Sequence, residues 1–232
     1  MLLFSPPIAS LLHGFTDHHS HILPGVDDGV KKMETSLKVL ERYEQLGIAE
    51  VWCTPHIMED IPNTTDGLQS RFAELCAAYQ GPIKLHLAAE YMMDALFDER
   101  LEQGDLLTLG DGGHHLLVET SYFTPPMDLD GILRRIKQKG LFPVLAHPER
   151  YVYMDKQRYT ALKEDGIRFQ LNLSSLAGAY GSDAKEKSHW ILKQGYYNVA
   201  GSDLHSLRNA DYWSARAPRP LRTLIKDNVK LE

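Results

Sequence analysis

The chain has 232 residues, of which 43% are hydrophobic and 24% are charged, so it can bury the core of a globular domain and global disorder is excluded. Its formal net charge of −6 argues against a nucleic-acid partner, which would need a broad basic surface. No apolar run reaches the roughly 18 residues of a membrane-spanning helix, so no membrane insertion is expected.

The N-terminal segment and the two cysteines bear on where the protein works. Residues 1–14 are largely apolar, but they lack a basic flank and are broken by Pro6 and Pro7. We therefore predict a short N-terminal extension and not a secretion signal. Cys53 and Cys76 fall in segments typical of a strand and a helix, which favours a reducing compartment. The predicted location is the cytoplasm.

Strand and helix patterns alternate along the chain. The first strand leads into Asp17, and short, mostly buried strands are predicted at 48–54, 83–90, 115–121, 141–147, 167–173 and 197–203. Helical spacing of apolar residues lies between them, over 37–46 with a stop at Gly47, over 68–79, and over 132–136 with an end at Gly140. This alternation predicts parallel strands joined by right-handed crossovers. No linker divides the chain, so we expect one domain over residues 1–232.

Polar side chains stand where the predicted strands end. These ends are 25 to 37 residues apart and carry His19 with His21, then His56, Glu90, Glu119, His147, Asn172, and Asp203 with His205. Successive parallel strands bring their carboxyl ends to one face, where barrel enzymes build their sites. Six of the seven ends carry a side chain that can bind a metal ion. The pattern therefore predicts a metal centre on that face.

The candidate ligands are too many for one ion. His19 and His21 are two residues apart, so both point to the same side of a strand. The full set is His19, His21, Asp28, His56, Glu90, Glu119, His147, Asp203 and His205. One catalytic zinc uses three or four protein ligands, so two or three ions sharing carboxylates are expected. Asp27 is the alternative to Asp28, and Asn172 is interpreted as structural or as a support for the ligands.

Two arginines are candidates for holding an anionic substrate. Three divalent ions would leave this centre positively charged, which favours phosphate. Arg150 lies three residues after His147 in "HPER", so its planar fork could reach a phosphate on the ions, and Arg208 is a second candidate. The predicted nucleophile is a hydroxide held by the ions. Neither cysteine is followed by the arginine that a cysteine phosphatase requires, so no cysteine nucleophile is expected.

The remaining histidines are interpreted without a metal. His13 and His18 have no alternation partner and are expected in turns or in solvent. His86 alternates with apolar neighbours on a strand and is expected to be a core or helix-facing histidine. His114 and His115 follow "DGG" and are expected in a loop.

The motifs "DHHSHILPGVDDG", "TPH" at 54–56, "AAE" at 88–90, "VLAHPERY" at 144–151 and "GSDLH" at 201–205 resemble the PHP (polymerase and histidinol phosphatase) superfamily. More closely, they are similar to its capsule-type bacterial tyrosine phosphatases, over roughly residues 15–208. The resemblance implies a distorted TIM-like (β/α)7 barrel with three metal ions, often manganese. It assigns His19, His21, Glu90 and Asp203 to one ion, Glu90, Glu119 and His147 to a second, and Asp28, His56 and His205 to a third.

The sequence thus predicts a metal-dependent protein-tyrosine phosphatase. The resemblance implies that its substrate and partner is a bacterial tyrosine kinase that controls capsular or exopolysaccharide synthesis. Mn²⁺ is the expected ion, with Fe, Zn or Co as alternatives for a mixed histidine and carboxylate site. Two other functions stay open: a small-molecule phosphomonoesterase such as histidinol-phosphate phosphatase, and a catalytically silent, metal-bound module that binds a kinase. The sequence also leaves open whether the protein is a homo-oligomer.

Overall fold

Strands and helices alternate in this computed structural model, which describes residues 6–226 and residue 231. The strands are β1 Thr16–Ser20, β2 Glu50–Cys53, β3 His56–Ile57, β4 Lys84–Leu87, β5 Glu90–Met92, β6 His115–Glu119, β7 Phe142–Ala146, β8 Arg168–Asn172 and β9 Val199–Gly201. The α-helices are α1 Met33–Leu46, α2 Thr65–Ala78, α3 Ala95–Gln103, α4 Leu129–Gln138, α5 Lys156–Glu164, α6 Leu173–Ala177, α7 Gly181–Lys193 and α8 Arg219–Lys226. Short 3-10 helices cover Ile8–Leu11, Pro148–Arg150 and Leu207–Ser214.

Two of the predicted strands are each broken into two pieces. Pro55 has no N–H to donate, so β2 stops before it and β3 resumes after it. Strands β4 and β5 are also separated, at 88–89, although no proline is present there. Pairing nevertheless runs through both breaks, because Ala88 donates its N–H to the carbonyl of Cys53 at 2.9 Å and Glu90 donates to the carbonyl of Pro55 at 3.1 Å. The pieces therefore form seven strand units at the predicted positions.

The strands make a parallel sheet that curls into a barrel. One part has the order β1-β2-β4, and the other has the order β3-β5-β6-β7-β8-β9. The two edges meet where Asp203 donates its N–H to the carbonyl of His19 at 2.7 Å and His21 donates to the carbonyl of Leu204 at 3.1 Å. The predicted distorted (β/α)7 barrel is confirmed, with all carboxyl ends of the strands on one face.

Alternation along the strands divides the core into two layers. One face of each strand packs against the helices, where α1 contributes Val39, Leu40 and Tyr43 and α4 contributes Ile132 and Ile136. The other face fills the barrel interior. The described residues of this inner cluster are Trp52, Ala88, Leu109, Leu117, Val144, Ala146, Val199 and Leu231. Apolar side chains therefore close the interior below the predicted site.

The helix ends follow the turn chemistry of the sequence. Helix α1 ends at Gly47, which has the left-handed φ of 73° that glycine adopts readily, so the predicted stop is confirmed. Gly140, after α4, has a φ of 80°. None of the described helices combines the length and the apolar character that a membrane span requires.

The described part of the N-terminal extension packs against the C-terminal region. Ile8 and Leu12 are fully buried. Ile8 donates its N–H to the carbonyl of Ala215 at 2.9 Å, and Ala217 donates to the carbonyl of Pro6 at 2.8 Å. These contacts attach the extension to the segment that follows the last 3-10 helix. That the whole chain forms one domain stays a prediction.

Candidate active site and metal centre

The nine predicted ligands converge at the carboxyl ends of the strands. Their nitrogen and oxygen atoms form four overlapping groups, each compact enough to hold an ion. The groups are His21, Asp28, His56 and His205; His19, Glu90 and His147; His19, His21 and Asp203; and His56, Glu90 and Glu119. The structure thus brings together every predicted ligand, although they come from positions 19 to 205 of the chain.

His19 and His21 present the same ring nitrogen to the centre. His19 uses Nδ1 for a hydrogen bond with Oε1 of Gln170 at 2.9 Å, and His21 uses Nδ1 for one with Oδ2 of Asp27 at 2.8 Å. Such bonds fix the orientation of a ligating imidazole. Both Nε2 atoms are left facing each other at 3.0 Å.

Glu90 is the carboxylate at the middle of the site. Its Oε2 lies 3.1 Å from His19 Nε2, 3.3 Å from His21 Nε2 and 3.2 Å from His56 Nδ1. Its Oε1 lies 3.0 Å from His147 Nε2. Burial would raise the pKa of this carboxyl, but the neighbouring histidines hold it well below its usual range. A buried carboxylate surrounded by imidazole nitrogens is suited to bridging cations.

Glu119 and Asp203 complete the inner part of the centre. Glu119 places Oε1 3.1 Å from His56 Nδ1 and Oε2 3.9 Å from His147 Nε2. Asp203 directs Oδ1 toward His19 and His21, at 3.4 and 3.3 Å from their Nε2 atoms. Both carboxylates are almost fully buried, so they too need positive charge nearby.

Asp28 and Asp27 have different surroundings, which bears on the choice between them. Asp28 is exposed, and its Oδ1 lies 3.5 Å from His56 Nε2 and 3.3 Å from His205 Nε2. Asp27 is buried and bonds His21, and it also accepts the N–H of His56 at 3.1 Å. This geometry favours Asp28 as a ligand and Asp27 as the residue that orients His21.

The site contains close polar atoms that do not satisfy one another. His56 Nδ1, Glu90 Oε2 and His147 Nδ1 are buried and make no hydrogen bond among the described residues. Buried polar atoms without partners are costly. For His56 and Glu90 the two atoms are only 3.2 Å apart, so a shared cation would satisfy both. The donor set, which mixes imidazole with carboxylate, fits divalent ions of the Mn, Fe, Co or Zn type.

The backbone is strained or tightly packed at four positions of the site. His147 and Asp203 have positive φ values of 32° and 50°, which side-chain-bearing residues rarely adopt and which are common at functional sites. Gly201 and Gly29 leave no room for a side chain. A Cβ at Gly201 would lie 2.5 Å from the Cβ of His19, and one at Gly29 would lie 2.3 Å from the carbonyl oxygen of His21.

Arg150 lies beside the predicted ligands, in a pocket of about 300 Å³. Its Nη1 donates to Oδ2 of Asp203 at 2.7 Å. The same oxygen accepts from Nδ2 of Asn172 at 2.8 Å, so one Asp203 oxygen faces the histidines and the other binds these two donors. The pocket is lined by Asp28, His56, Glu90, Tyr122, Arg150, Tyr180, Asp203, His205 and Asn209.

The second predicted arginine is not brought to the pocket. Arg208 is exposed on the 3-10 helix Leu207–Ser214, next to Asn209, which does line the pocket. That helix starts with a capping box at Ser206 and Asn209, which sets the direction of the chain after His205. The role of Arg208 stays a prediction.

Several supporting residues were not predicted from the sequence. Gln170 stands in the middle of an apolar strand pattern, and an uncharged polar residue at such a position was the signal that the sequence offered. Besides its bond to His19, its Oε1 accepts the N–H of His147 at 3.1 Å. Tyr122 and Tyr180 lie in loops whose meeting point the sequence does not reveal. Asn172 donates a hydrogen bond to the predicted ligand Asp203, which agrees with one of the two interpretations of this residue.

Two of the interpretations of the other histidines are wrong. His18 is not in solvent: it is 3% exposed and borders a cavity of about 30 Å³ with Thr16, Glu50 and Trp52. His115 is not in a loop, because it begins β6, is fully buried and contacts the Arg168 guanidinium. A local pattern shows polarity and spacing, but not which loops cover a strand end.

His13 and His114 fit their interpretations, and His86 does so in part, because 25% of its side chain is exposed. His86 lies on β4, bonds Glu50 at 3.1 Å and stacks on the ring of Trp52. His13 and His114 are exposed.

The fold and the site define a class of protein: a parallel α/β barrel with histidines and carboxylates grouped for several metal ions at the carboxyl ends of its strands. Residues 15–221 match the family model described as capsular polysaccharide synthesis, CpsB/CapC, and the chain belongs to this family. The resemblance seen in the sequence motifs is thereby confirmed.

Known relatives cover most of the chain. It is 24% identical over 207 residues to the tyrosine-protein phosphatase YwqE of Bacillus subtilis, with 87% of this chain and 81% of the relative aligned. It is 29% identical over 206 residues to the tyrosine-protein phosphatase CpsB of Streptococcus pneumoniae, with 82% and 83% aligned.

Solved structures share the fold. A structure from work on YwqE and CpsB, described as metal-dependent tyrosine phosphatases, matches with a TM-score of 0.79 at 24% identity, over 90% of this chain and 86% of that one. A lactonase from Listeria monocytogenes matches with a TM-score of 0.52 at 12% identity, over 92% of this chain and 86% of that one. At these identities the matches establish the barrel and nothing finer.

Proposed function

We propose that the protein is a metal-dependent protein-tyrosine phosphatase, and that its substrate is phosphotyrosine on a bacterial tyrosine kinase that controls capsular or exopolysaccharide synthesis. The observation that carries the proposal is the convergence of nine potential ligands at one end of the barrel, with Arg150 in the pocket that five of them line. The family description and the names of the relatives support the same activity and the same process.

We assign three divalent ions to the centre, with Mn²⁺ as the expected metal. The ligand sets are those that the family resemblance implies: His19, His21, Glu90 and Asp203; Glu90, Glu119 and His147; and Asp28, His56 and His205. The structure groups the same nine side chains in a partly different way, with His147 beside His19 and Glu90, and Glu119 beside His56 and Glu90. When bound, such ions supply a nucleophilic hydroxide at neutral pH and neutralise charge on the phosphate oxygens. Gln170 and Asp27 hold the rings of His19 and His21 in the orientation that this requires.

The charges of the centre suit an anionic substrate. Four carboxylates are present in the ligand set, so three divalent ions leave a positive balance, to which Arg150 adds. Arg150 is placed to donate hydrogen bonds to the outer oxygens of a phosphate, because it lines the pocket beside the predicted ligands. A phenolate leaving group has a pKa of about 10, so strong general acid catalysis is not needed.

Neither cysteine is placed to act as a nucleophile. Cys53 is fully buried on β2, and burial raises the pKa of its thiol, so little thiolate forms near neutral pH. Cys76 is exposed on α2, on the outside of the barrel, and burial of part of its side chain also raises its pKa. The reaction we propose therefore proceeds without a cysteine intermediate.

A substrate comparison tests the proposal. The Mn²⁺-loaded protein is assayed on a phosphotyrosine peptide, on histidinol phosphate and on p-nitrophenyl phosphate, with Glu90→Gln as the inactive control. The phosphotyrosine peptide should have the highest kcat/KM. Preference for histidinol phosphate would indicate a small-molecule phosphatase. No hydrolysis with Mn, Fe, Co or Zn would indicate a silent binding module. The cytoplasmic location and the assembly state stay predictions.

A further inference from the structure

The guanidinium of Arg150 is in contact with two aromatic rings. Its Cζ lies 4.3 Å from the ring centroid of Tyr122 and 4.1 Å from that of Tyr180. Both distances are within the range of cation–π contacts, which gain strength when the cation is partly removed from water. Only 15% of the Arg150 side chain is exposed, so these contacts are shielded.

One edge of the same guanidinium is also held. Nη1 donates to Asp203 at 2.7 Å, and no other hydrogen bond of the guanidinium is present among residues 6–226 and 231. A guanidinium has five donors, so most of them are left for a ligand. Because Arg150 lines the pocket, these donors are available to an anion bound there.

Each of the two rings is supported by its own neighbours. Tyr122 packs 5.8 Å from the ring of His147 and 6.1 Å from that of Tyr151, centroid to centroid. The hydroxyl of Tyr180 accepts a hydrogen bond from Nδ2 of Asn172 at 3.1 Å. The rings come from separate loops, after β6 and before α7, so both ring contacts form only when both loops are folded.

We propose that Tyr122 and Tyr180 are positioning residues that hold the plane of the Arg150 guanidinium for phosphate. With two ring contacts and one edge held by Asp203, the guanidinium keeps one orientation before substrate arrives. A charged group that is already oriented loses less entropy on binding and in the transition state. The inference rests on the proposed phosphatase function and adds the residues that make its phosphate clamp rigid.

A double-mutant cycle separates positioning from direct contact. Tyr122→Leu and Tyr180→Leu are made in the wild-type chain and in Arg150→Ala, and all proteins are loaded with Mn²⁺. In the wild-type background each substitution should lower kcat/KM for a phosphotyrosine peptide by about tenfold. In the Arg150→Ala background each should change it by less than about twofold, because nothing is left to position.

Phenylalanine variants and a third tyrosine provide the matched controls. Tyr122→Phe and Tyr180→Phe keep the rings and should keep kcat/KM within about threefold of wild type. Tyr153→Leu removes a ring that stacks on Tyr151 but is not in contact with the Arg150 guanidinium. It should leave kcat/KM nearly unchanged even if the melting temperature falls. Metal content should be equal in all variants.

Three results would overturn the inference. The first is an equal loss from the leucine substitutions in both backgrounds, which would mean that the rings touch substrate or only support the fold. The second is full activity of the leucine variants, and the third is their loss of metal. The dissociation constant for inorganic phosphate, measured by calorimetry, gives a readout without catalysis. If wild type hydrolyses no ester yet the tyrosines tighten phosphate binding only when Arg150 is present, the proposed function fails and the inference stands.

Discussion

His18 and His19 are consecutive on β1 and both are buried, but their environments shift the pKa of the two imidazoles in opposite directions. Burial lowers the pKa of His18 to about 4. Burial would lower the pKa of His19 as well, but Glu90 and Asp203 raise it to about 9. The comparison shows that the charges facing a histidine, and not its depth, decide whether it carries a proton.

The two regions of the barrel interior differ in the same respect, because one buries apolar side chains and the other buries charged ones. The lower region is filled by side chains such as Trp52, Leu117, Val144 and Val199, whose burial stabilises the fold without a ligand. The upper region buries Glu90, Glu119 and Asp203 among imidazoles, which costs desolvation energy. Divalent ions would offset that cost, so we expect the upper region to gain stability when they are bound.

Removing the metal should have the largest effect. Chelation at neutral pH should lower kcat/KM by at least about 10³-fold and also lower the melting temperature, because the buried carboxylates lose their counterions. Adding Mn²⁺ back should restore both. Mild acid should act like the chelator, since without an ion His19 already takes up a proton below about pH 9, and protons therefore compete with the metal. Full activity in protein shown by elemental analysis to be metal-free would contradict the mechanism.

Arg150→Ala should have the next largest effect. Loss of the phosphate clamp should reduce kcat/KM by about 10²-fold, which corresponds to about 2.7 kcal/mol. Arg150→Lys should recover only part, because an ammonium keeps the charge but not the planar fork. Metal content should be unchanged, although Asp203 loses one hydrogen-bond donor.

The control for Arg150 is Arg158→Ala, which removes a surface ion pair with Asp130. Its kinetics should match wild type. A competing role for Arg150 is purely structural, and it predicts a lower melting temperature with nearly full activity. The structure excludes pairing with Glu149, whose carboxylate instead accepts from Tyr197 at 2.8 Å and from the N–H of Asn172 at 3.1 Å.

His18 should make stability depend on pH. Its folded-state pKa of about 4 lies below the unfolded value of 6.5, so the unfolded chain takes up the proton first as pH falls. The contribution of neutral His18 to the free energy of unfolding is complete above pH 6.5 and is lost progressively down to about pH 4. At pH 5 this loss should be about 2 kcal/mol.

Urea unfolding of metal-free wild type and His18→Gln at pH 7.5 and pH 5 measures this term. Using metal-free protein removes the effect of acid on metal binding. The contribution of the other histidines to the pH dependence is the same in both chains, so it cancels when their free energies of unfolding are compared. The free energy of unfolding of wild type should fall more than that of the variant. Equal pH dependence would mean that His18 is accessible to protons in the folded state.

The smallest effect is expected from the cysteines. Replacing Cys53 and Cys76 by Ala should leave kcat/KM within about twofold, since neither lines the pocket. Cys53→Ala should cost about 1 kcal/mol of stability because it leaves a small cavity, whereas Cys76→Ala should cost almost nothing. A loss of several orders of magnitude with an intact fold would indicate a thiolate nucleophile.

The sequence by itself determined the barrel and the positions that could hold metal. Strand patterns repeat once per strand–helix unit, and side chains at the ends of parallel strands must meet on one face. His56, Glu90 and His147 could therefore be predicted as neighbours although they are far apart in the chain. The convergence of these side chains needs only local periodicity and the direction of the strands, whereas the closed barrel of seven units was implied by the resemblance of the motifs.

Tertiary structure alone decided which charges face each side chain. It placed His18 in the interior, gave Asp27 and Asp28 different surroundings, and closed Tyr122 and Tyr180 on Arg150. These outcomes depend on how loops from separate units pack over the ends of the strands. A local pattern cannot encode that packing, because contact energy between distant segments is set by three-dimensional distance and burial, and not by spacing along the chain.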